Sequence, residues 1–404
     1  MRVARTLGTA SAAGLLLFAT ACGTGGADTG ATGAGDDSGG GGEPIKVGVI
    51  TSLSGPLASY GEQYMAGLEA GLEYATDGTG EVNGSPIELV EADAAADPAK
   101  AISAAKDLIG QGITILAGPA SSGVAVQLAP VAEQNQVLLV SGPAATDAMT
   151  GINELTYRSG RQTYQDVQTA GTIVGDPSGK SVLVFAQDYE FGQANAAAVE
   201  GVLGGAGATV DSLLVPLSAK EFTPFAQQIK QKAPDLLFVA WAGDTTSAMW
   251  QALEQQGVFE ETTVVTGLAD KASYSAYGSA TEKITFLSHY FPEAPDNPVN
   301  DEMVRLVEEA GGTPDLFTPD GFVAAQMIVH AVEEAGGAGD VAALQAALDG
   351  WSFDAPKGEQ TVRAEDHAMI QPMFVAKLTK TDDGYVPELV ETVPADQVAP
   401  PVAE

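Results

Sequence analysis

Residues 45–67 read IKVGVITSLSGPLASYGEQYMAG, and the order of their physical characters decides the fold class. Residues 45–53 form a β-branched run, too short for a helix and apolar on both faces, which suits a strand buried in a parallel sheet. A Ser54-Gly55-Pro56 turn follows, and then Tyr64, Met65, Leu68, Leu72 and Ala75 recur at helical spacing. Moving outward, the alternation continues: strand PIELVEAD, helix PAKAISAAKDLIGQ, strand ITILAGP, helix GVAVQLAPVAEQ, strand VLLVSG and a strand over 155–158. The expected apolar face of the second helix is Ala99, Ile102, Ala105, Leu108 and Ile109.

The rhythm restarts at residue 164. Helices are predicted at 164–173, 191–203, 222–232 and 246–256, with strands KSVLVFAQD, TVDSLLVP, DLLFVAWAG, TTVVTGL and KITFLSHY around them. Two more helices are expected in 298–350, and closing strands such as PMFVAKL after Trp351. Strands alternating with helices give an α/β fold with parallel sheets. About 360 residues are too many for one core. The reading is two doubly wound, Rossmann-like lobes joined near 159–163 and 291–293. The expected N-terminal lobe is 44–160 plus 293–353, the C-terminal lobe 161–292 plus 354–390, and the tail 391–404.

The first forty residues speak of location. Arg2 and Arg5 precede a short apolar stretch centred on Leu15-Leu16-Leu17-Phe18, which ends in Ala19-Thr20-Ala21 before Cys22. The stretch is too short to span a bilayer, so 1–21 reads as a removable export signal. Cys22 is the one cysteine of the chain, which excludes a disulfide framework. The small residues before it resemble a bacterial lipobox, which implies lipid attachment at Cys22. Residues 22–43 carry almost nothing but small and polar side chains and read as a flexible tether. The expected place is therefore the outer face of the cell membrane, held by lipid alone. An anchored rather than freely soluble protein suggests a single-membrane, Gram-positive-type cell.

The charge narrows the partners. The chain has 53 acidic and 18 basic residues, a formal charge of −35. Such a surface repels nucleic acid and anionic headgroups. The sequence also lacks the usual catalytic and metal motifs. His289, His330 and His367 are scattered, no HExxH or paired-cysteine pattern exists, and GPASSG at 118–123 has the wrong spacing for a nucleophile elbow. GDPSGKS at 175–181 is one residue short of a phosphate loop and precedes a strand instead of a helix. No enzyme, cofactor or metal is expected.

What remains is a set of small hydroxyl residues at three strand ends: Ser54-Gly55-Pro56 with Tyr60, Gly118 to Ser122, and Ser141 to Thr146. In open α/β sheets ligands bind beyond the carboxyl ends of the strands. Helix N-termini bearing Ser or Thr suit a carboxylate, although each such residue alone is most often a helix cap.

These segments, with DPAKAISAAKDLI, DYEFG, DLLFVAW, TPDGFVAAQ and AEDHAMIQPMFV, resemble the type I periplasmic binding proteins. Among these they are most similar to the leucine/isoleucine/valine-binding proteins of ABC importers. The likeness runs from about residue 45 to 389. It implies a monomeric, non-enzymatic receptor that closes two lobes on a small molecule, favouring a branched-chain amino acid, and delivers it to an ABC permease with its ATPase. By this resemblance the ligand carboxylate would meet Ser121 or Ser122, and Ala144 with Thr146. Tyr60, Phe191, Trp241 and Phe317 would line its side chain. The family's ammonium-binding glutamate falls at Ala269, with Asp270 one residue on; Asp188 or Glu190 could serve instead, or the ligand could lack an ammonium. The alternatives are an amide, urea or aromatic acid ligand, and a sensor of the same fold signalling through a separate partner.

Overall fold

The computed structural model describes residues 42–403 except 383. The export signal, Cys22 and the tether up to residue 41 lie outside the described residues. The expectations placed there stay readings of the sequence.

The first sheet has six strands. Its elements, in chain order, are β1 (Ile45–Thr51), α1 (Ala58–Ala75), β2 (Glu81–Val82), β3 (Ser85–Asp93), α2 (Pro98–Gly110), β4 (Ile115–Ala117), α3 (Ser122–Asn135), β5 (Leu138–Ser141) and β6 (Thr156–Arg158). The spatial order is β2-β3-β1-β4-β5-β6, parallel except for the β2–β3 hairpin. The chain thus starts in the middle and winds both ways, which leaves the topological crevice at the ends of β1 and β4. The β2 hairpin had no counterpart in the sequence reading, because two residues are too few to show a period. In α2 the buried residues are Ala101, Ala105 and Leu108, whereas Ala99 is exposed. Asp97 caps this helix by accepting from the amides of Ala99 and Lys100, which satisfies two of its free N-terminal donors.

The second sheet has seven strands. It is built from α4 (Thr163–Val174), β7 (Ser181–Gln187), α5 (Glu190–Val199), β8 (Thr209–Val215), α6 (Thr223–Lys232), β9 (Leu236–Ala240), α7 (Thr246–Gln255), β10 (Thr263–Gly267) and β11 (Thr285–Ser288). A π-helical turn at Glu200–Gly204 extends α5, and a 3₁₀ segment at Lys271–Ala280 follows β10. The chain then returns to the first lobe through α8 (Pro298–Glu309), α9 (Thr318–Ala335) and α10 (Val341–Leu348), one helix more than the sequence reading. Phe322, Val323, Met327 and Ile328 of α9 pack with α1 and α8 and with the strands of the first sheet.

The end of the chain departs most from expectation. β12 (Ser352–Ala355), β13 (Gly358–Val362) and β14 (Met369–Ile370) form a separate antiparallel sheet. Ala355, Val362 and Met369 bury their side chains in the first lobe's core, so that lobe extends to about residue 370 and does not end at 353. β15 (Met373–Thr381) then joins β11 antiparallel, and β16 (Gly384–Val393) closes the order β16-β15-β11-β10-β9-β7-β8. The expected tail is also structured. Val393 pairs with Met373, a short helix α11 (Ala395–Val398) buries Val398, and Arg363 donates to the carbonyls of Pro400 and Pro401.

Among the described residues the lobes are therefore joined by three connections, at 159–162, 289–297 and 371–372. Each sheet has a core on both faces: Val47, Tyr64 and Val140 against Ile50, Leu116 and Leu139 in the first, Phe185, Trp250 and Phe286 against Val184, Phe238 and Leu287 in the second.

Candidate functional site

A cleft of about 410 Å³ opens between the two sheets. Its first-lobe wall is the β1–α1 turn with Tyr60, the start of α3, and Pro143 with Ala145 after β5. Its second-lobe wall is Tyr189, Phe191, Trp241 to Asp244, and the β10 end from Thr266 to Asp270. Arg161 and His289, on two of the three inter-lobe connections, form the back.

Seven of the residues read from sequence meet here: Tyr60, Ser121, Ser122, Phe191, Trp241, Asp270 and Phe317. Ser121 stands at the N-cap of α3, yet its side chain makes no capping bond. Ser122 Oγ accepts the Thr146 amide at 3.3 Å. Ala144 and Thr146 are not in the wall. Ala144 is fully buried behind it, with its carbonyl taken by Arg158 Nη1 at 2.9 Å. The Thr146 hydroxyl instead donates across the lobes to Glu190 Oε1 at 2.7 Å. The guanidinium of Arg158 pulls the carbonyls of Ala144, Thr146 and Arg161 inward, and this turns the third loop so that Pro143 and Ala145 face the cleft.

The three acids named from the sequence are placed differently. Asp188 is engaged by Gln193 and Glu190 by Thr146, and neither lines the cleft. Asp270 does line it, with 7% exposure. Its Oδ2 accepts Ser59 Oγ from the opposite lobe at 3.0 Å, while Oδ1 is buried with no hydrogen-bond partner. A buried carboxylate oxygen in that condition is a strong acceptor awaiting a donor.

Aromatic rings make most of the apolar surface. Tyr60 and Phe317 stand 4.4 Å apart, and Phe317 also packs on the His289 ring at 5.0 Å. Trp241 rests on Phe185 and Phe222, and its Nε1 donates to Thr245 Oγ1 at 3.0 Å. Burial raises the Tyr60 and Tyr189 hydroxyls above the ordinary phenol range, so both remain neutral hydrogen-bonding groups. Burial likewise pushes His289 well below its ordinary value, with the charge of Arg161 acting in the same direction. The His289 ring is therefore neutral, and its Nε2 lacks a partner.

Sequence reasoning missed Arg161, Asp166, Tyr189, Tyr277 and His289, all of which line the cleft. Arg161 matters most. It is 7% exposed, its Nη1 donates to the Pro143 carbonyl at 2.9 Å, its Nε stands 3.3 Å from Asp166 Oδ2, and its plane lies 5.6 Å from the Phe317 ring. Desolvation raises the Asp166 carboxyl, with the Arg161 charge opposing that rise. The available clue was its place. SGRQTYQD follows the last strand of the first lobe, and an arginine at a lobe joint has a cleft on one side of it. Among the described residues no three His, Cys, Asp or Glu side chains are grouped to hold a metal.

A family profile described as periplasmic binding protein matches residues 44–384. A Leu/Ile/Val-binding protein homolog of Brucella abortus is 26% identical over 350 residues, covering 84% of this chain and 89% of that protein. Among solved structures, an ABC-type branched-chain amino acid transporter protein from Rhodopseudomonas palustris is 30% identical. Its TM-score is 0.75, with coverage of 89% of this chain and 99% of that one. A solute-binding protein from another strain of that organism, in complex with p-hydroxybenzoic acid, is 25% identical. Its TM-score is 0.80, with coverage of 87% and 97%.

Proposed function

The chain belongs to the periplasmic binding protein family, and we propose that it is the lipid-anchored receptor of an ABC importer, specific for an α-amino acid with a large apolar side chain. It has the type I fold of two doubly wound lobes, and the family is a solute-binding one. No helix among the described residues is long and apolar enough to cross a membrane.

One observation carries the ligand reading: Arg161 and the half-free carboxylate of Asp270 share one aromatic-walled cleft. A guanidinium suits a carboxylate and a carboxylate suits an ammonium. The cleft-lining charges are Arg161 against Asp166, Asp244 and Asp270, an acidic excess. A zwitterion adds no net charge to that set, whereas a simple carboxylate adds a further negative one. Ser121 and Ser122 add hydroxyl donors beside the start of α3, and Tyr60, Phe191, Trp241 and Phe317 supply the apolar wall. Ligand bridging both walls would favour the closed form by hinge motion. Closed protein would then dock on a permease whose ATPase drives uptake, and the anchor through Cys22 would hold it nearby.

The second reading is an aromatic carboxylic acid. It draws on the ring-rich walls and on the p-hydroxybenzoic acid held by the Rhodopseudomonas relative. Titration calorimetry with leucine, phenylalanine and 4-hydroxybenzoate separates the two. The amino-acid reading expects binding of leucine or phenylalanine and a loss of about 10- to 100-fold in Asp270→Asn, a charged hydrogen bond's worth. Tight 4-hydroxybenzoate binding that Asp270→Asn leaves unchanged, with no response to amino acids, would replace it with the second reading.

A further inference from the structure

TPDGFVAAQ marks the start of α9, and the capture chemistry leaves its acid, Asp320, without a task. Asp320 is 1% exposed, and neither of its carboxylate oxygens has a hydrogen-bond partner. It packs against the first lobe connection: a Cβ on Gly160 would stand 2.6 Å from Asp320 Oδ2. Gly160 immediately precedes Arg161, so the carboxylate rests on the backbone that presents the cleft's cation.

Lys357 faces the same region from the strand side. It is 3% exposed and donates to Gln371 Oε1 at 2.7 Å, a residue of the third lobe connection. Asp166 Oδ1, Gln360 Oε1 and Gln371 Nε2 are also buried without partners. Buried polar groups are normally satisfied, so such a concentration needs an explanation.

The charges balance. Arg158, Arg161 and Lys357 are matched by Asp147, Asp166 and Asp320, each of which acts electrostatically on others of the set. Burial pushes the Asp320 carboxyl up and the Lys357 ammonium down, and each charge restrains the shift of the other.

We propose that Asp320 and Lys357 are positioning residues for Arg161, a buried charge pair that keeps the guanidinium facing the cleft instead of the interior. Arg161 already leans on Asp166 at 3.3 Å. Without Lys357 the Asp320 carboxyl loses a charge that restrains its rise, and the cation left at the border with the cleft to balance the ionised form is Arg161. The guanidinium is then drawn inward, away from a ligand carboxylate. Removing Asp320 as well restores neutrality, and Arg161 returns. The inference rests on Arg161 being the ligand's carboxylate partner.

The test is a double-mutant cycle read on ligand charge. Affinities of purified wild-type protein, Lys357→Met, and Lys357→Met with Asp320→Asn are measured for leucine against leucinamide and for 4-hydroxybenzoate against 4-hydroxybenzamide. Lys357→Met should cut the preference for acid over amide by about tenfold, and the double variant should recover most of it. Rescue by a second charge deletion is not an outcome that lost packing produces. If Lys357→Met does not fold, Lys357→Gln takes its place in the cycle. A folded single variant with undiminished acid preference overturns the proposal. So does equal loss on acid and amide, or a double variant as impaired as the single. Arg161→Gln separates the two readings. If it leaves the acid preference intact, the capture reading itself fails and this one falls with it.

Discussion

Asp315 illustrates what a single residue contributes at the lobe boundary. Its Oδ2 accepts the Lys271 amide from the opposite lobe at 2.9 Å, and its Oδ1 accepts the Leu316 amide at 2.8 Å. Burial pushes its carboxyl up to about 6, against the lowering effect of those amides, and the nearby Asp270 adds to the rise. The folded state therefore holds this proton more tightly than the unfolded chain does. Its contribution to stability is greatest below the unfolded value of about 4 and is lost as pH rises through about 6. Asp315→Asn removes the ionisable group and one of the two acceptors, since the new amide nitrogen cannot take an N–H. The stability of the variant relative to wild type should rise by about 3 kcal/mol between pH 4 and pH 7, because each tenfold change in proton affinity is worth about 1.4 kcal/mol. Chemical denaturation of both proteins from pH 4 to 8 measures this, and parallel stability curves would refute it. Nothing in the local sequence NPVNDEMVRLVEEAGGTPDLF marks Asp315 as buried. Its state depends on a residue 44 positions away.

At the scale of elements, the crossing of α1 and α9 organises the first lobe. The two helices approach until Gly67 faces the Thr318 carbonyl and Gly321 faces the Tyr64 carbonyl; added Cβ atoms would stand 1.8 and 1.9 Å away. Helices this close are held apart by nothing but backbone, so any side chain at the contact forces a separation. That separation would move the Asp315–Phe317 loop and the β1–α1 turn, which form one cleft wall. Gly321→Ala should cost about 3 kcal/mol or more and weaken ligand binding as well. Gly110→Ala, at the end of α2 with open space around it, should be neutral or stabilising by up to about 1 kcal/mol. Thermal unfolding of the two variants provides the comparison, and equal melting temperatures would refute the crossing argument. Here the sequence was partly legible. Tyr64, Met65 and Leu68 declared a helix by their spacing, and they are buried as that spacing requires. The partner of that face, some 250 residues later, left no local trace.

At the scale of the molecule, hydrogen bonds between the lobes include Ser59 to Asp270, the Lys271 amide to Asp315, and Thr146 to Glu190, at 3.0, 2.9 and 2.7 Å, besides those that α4 makes to Ala145, Asp147 and Met369. In the first three the acceptor is a carboxylate, drawn from the acidic surplus that gives the chain its formal charge of −35. The proposed anchor belongs to this scale too. Cys22→Ser should release the protein from membranes into the medium while leaving its ligand affinity unchanged. Fractionation and calorimetry on the released protein check both halves, and a variant retained in the membrane fraction would refute lipid attachment.

The alternation of short apolar strands with amphipathic helices was enough to establish an α/β fold of two wound lobes, because periodicity is a local property written in every ten residues. The strand-end turns with their hydroxyl residues also placed the cleft, since in such sheets the crevice must lie beyond the strand termini. Tertiary structure alone decided which groups face that cleft. Arg161 enters it because Arg158, Pro143 and Asp166 pin its backbone and side chain, and Thr146 leaves it because Glu190 of the other lobe takes its hydroxyl. The assignment of β12 to β14 to the first lobe's core was settled in the same way, by packing between segments far apart in the chain. The direction of a polar side chain is set by partners hundreds of residues distant, and no local pattern carries that information.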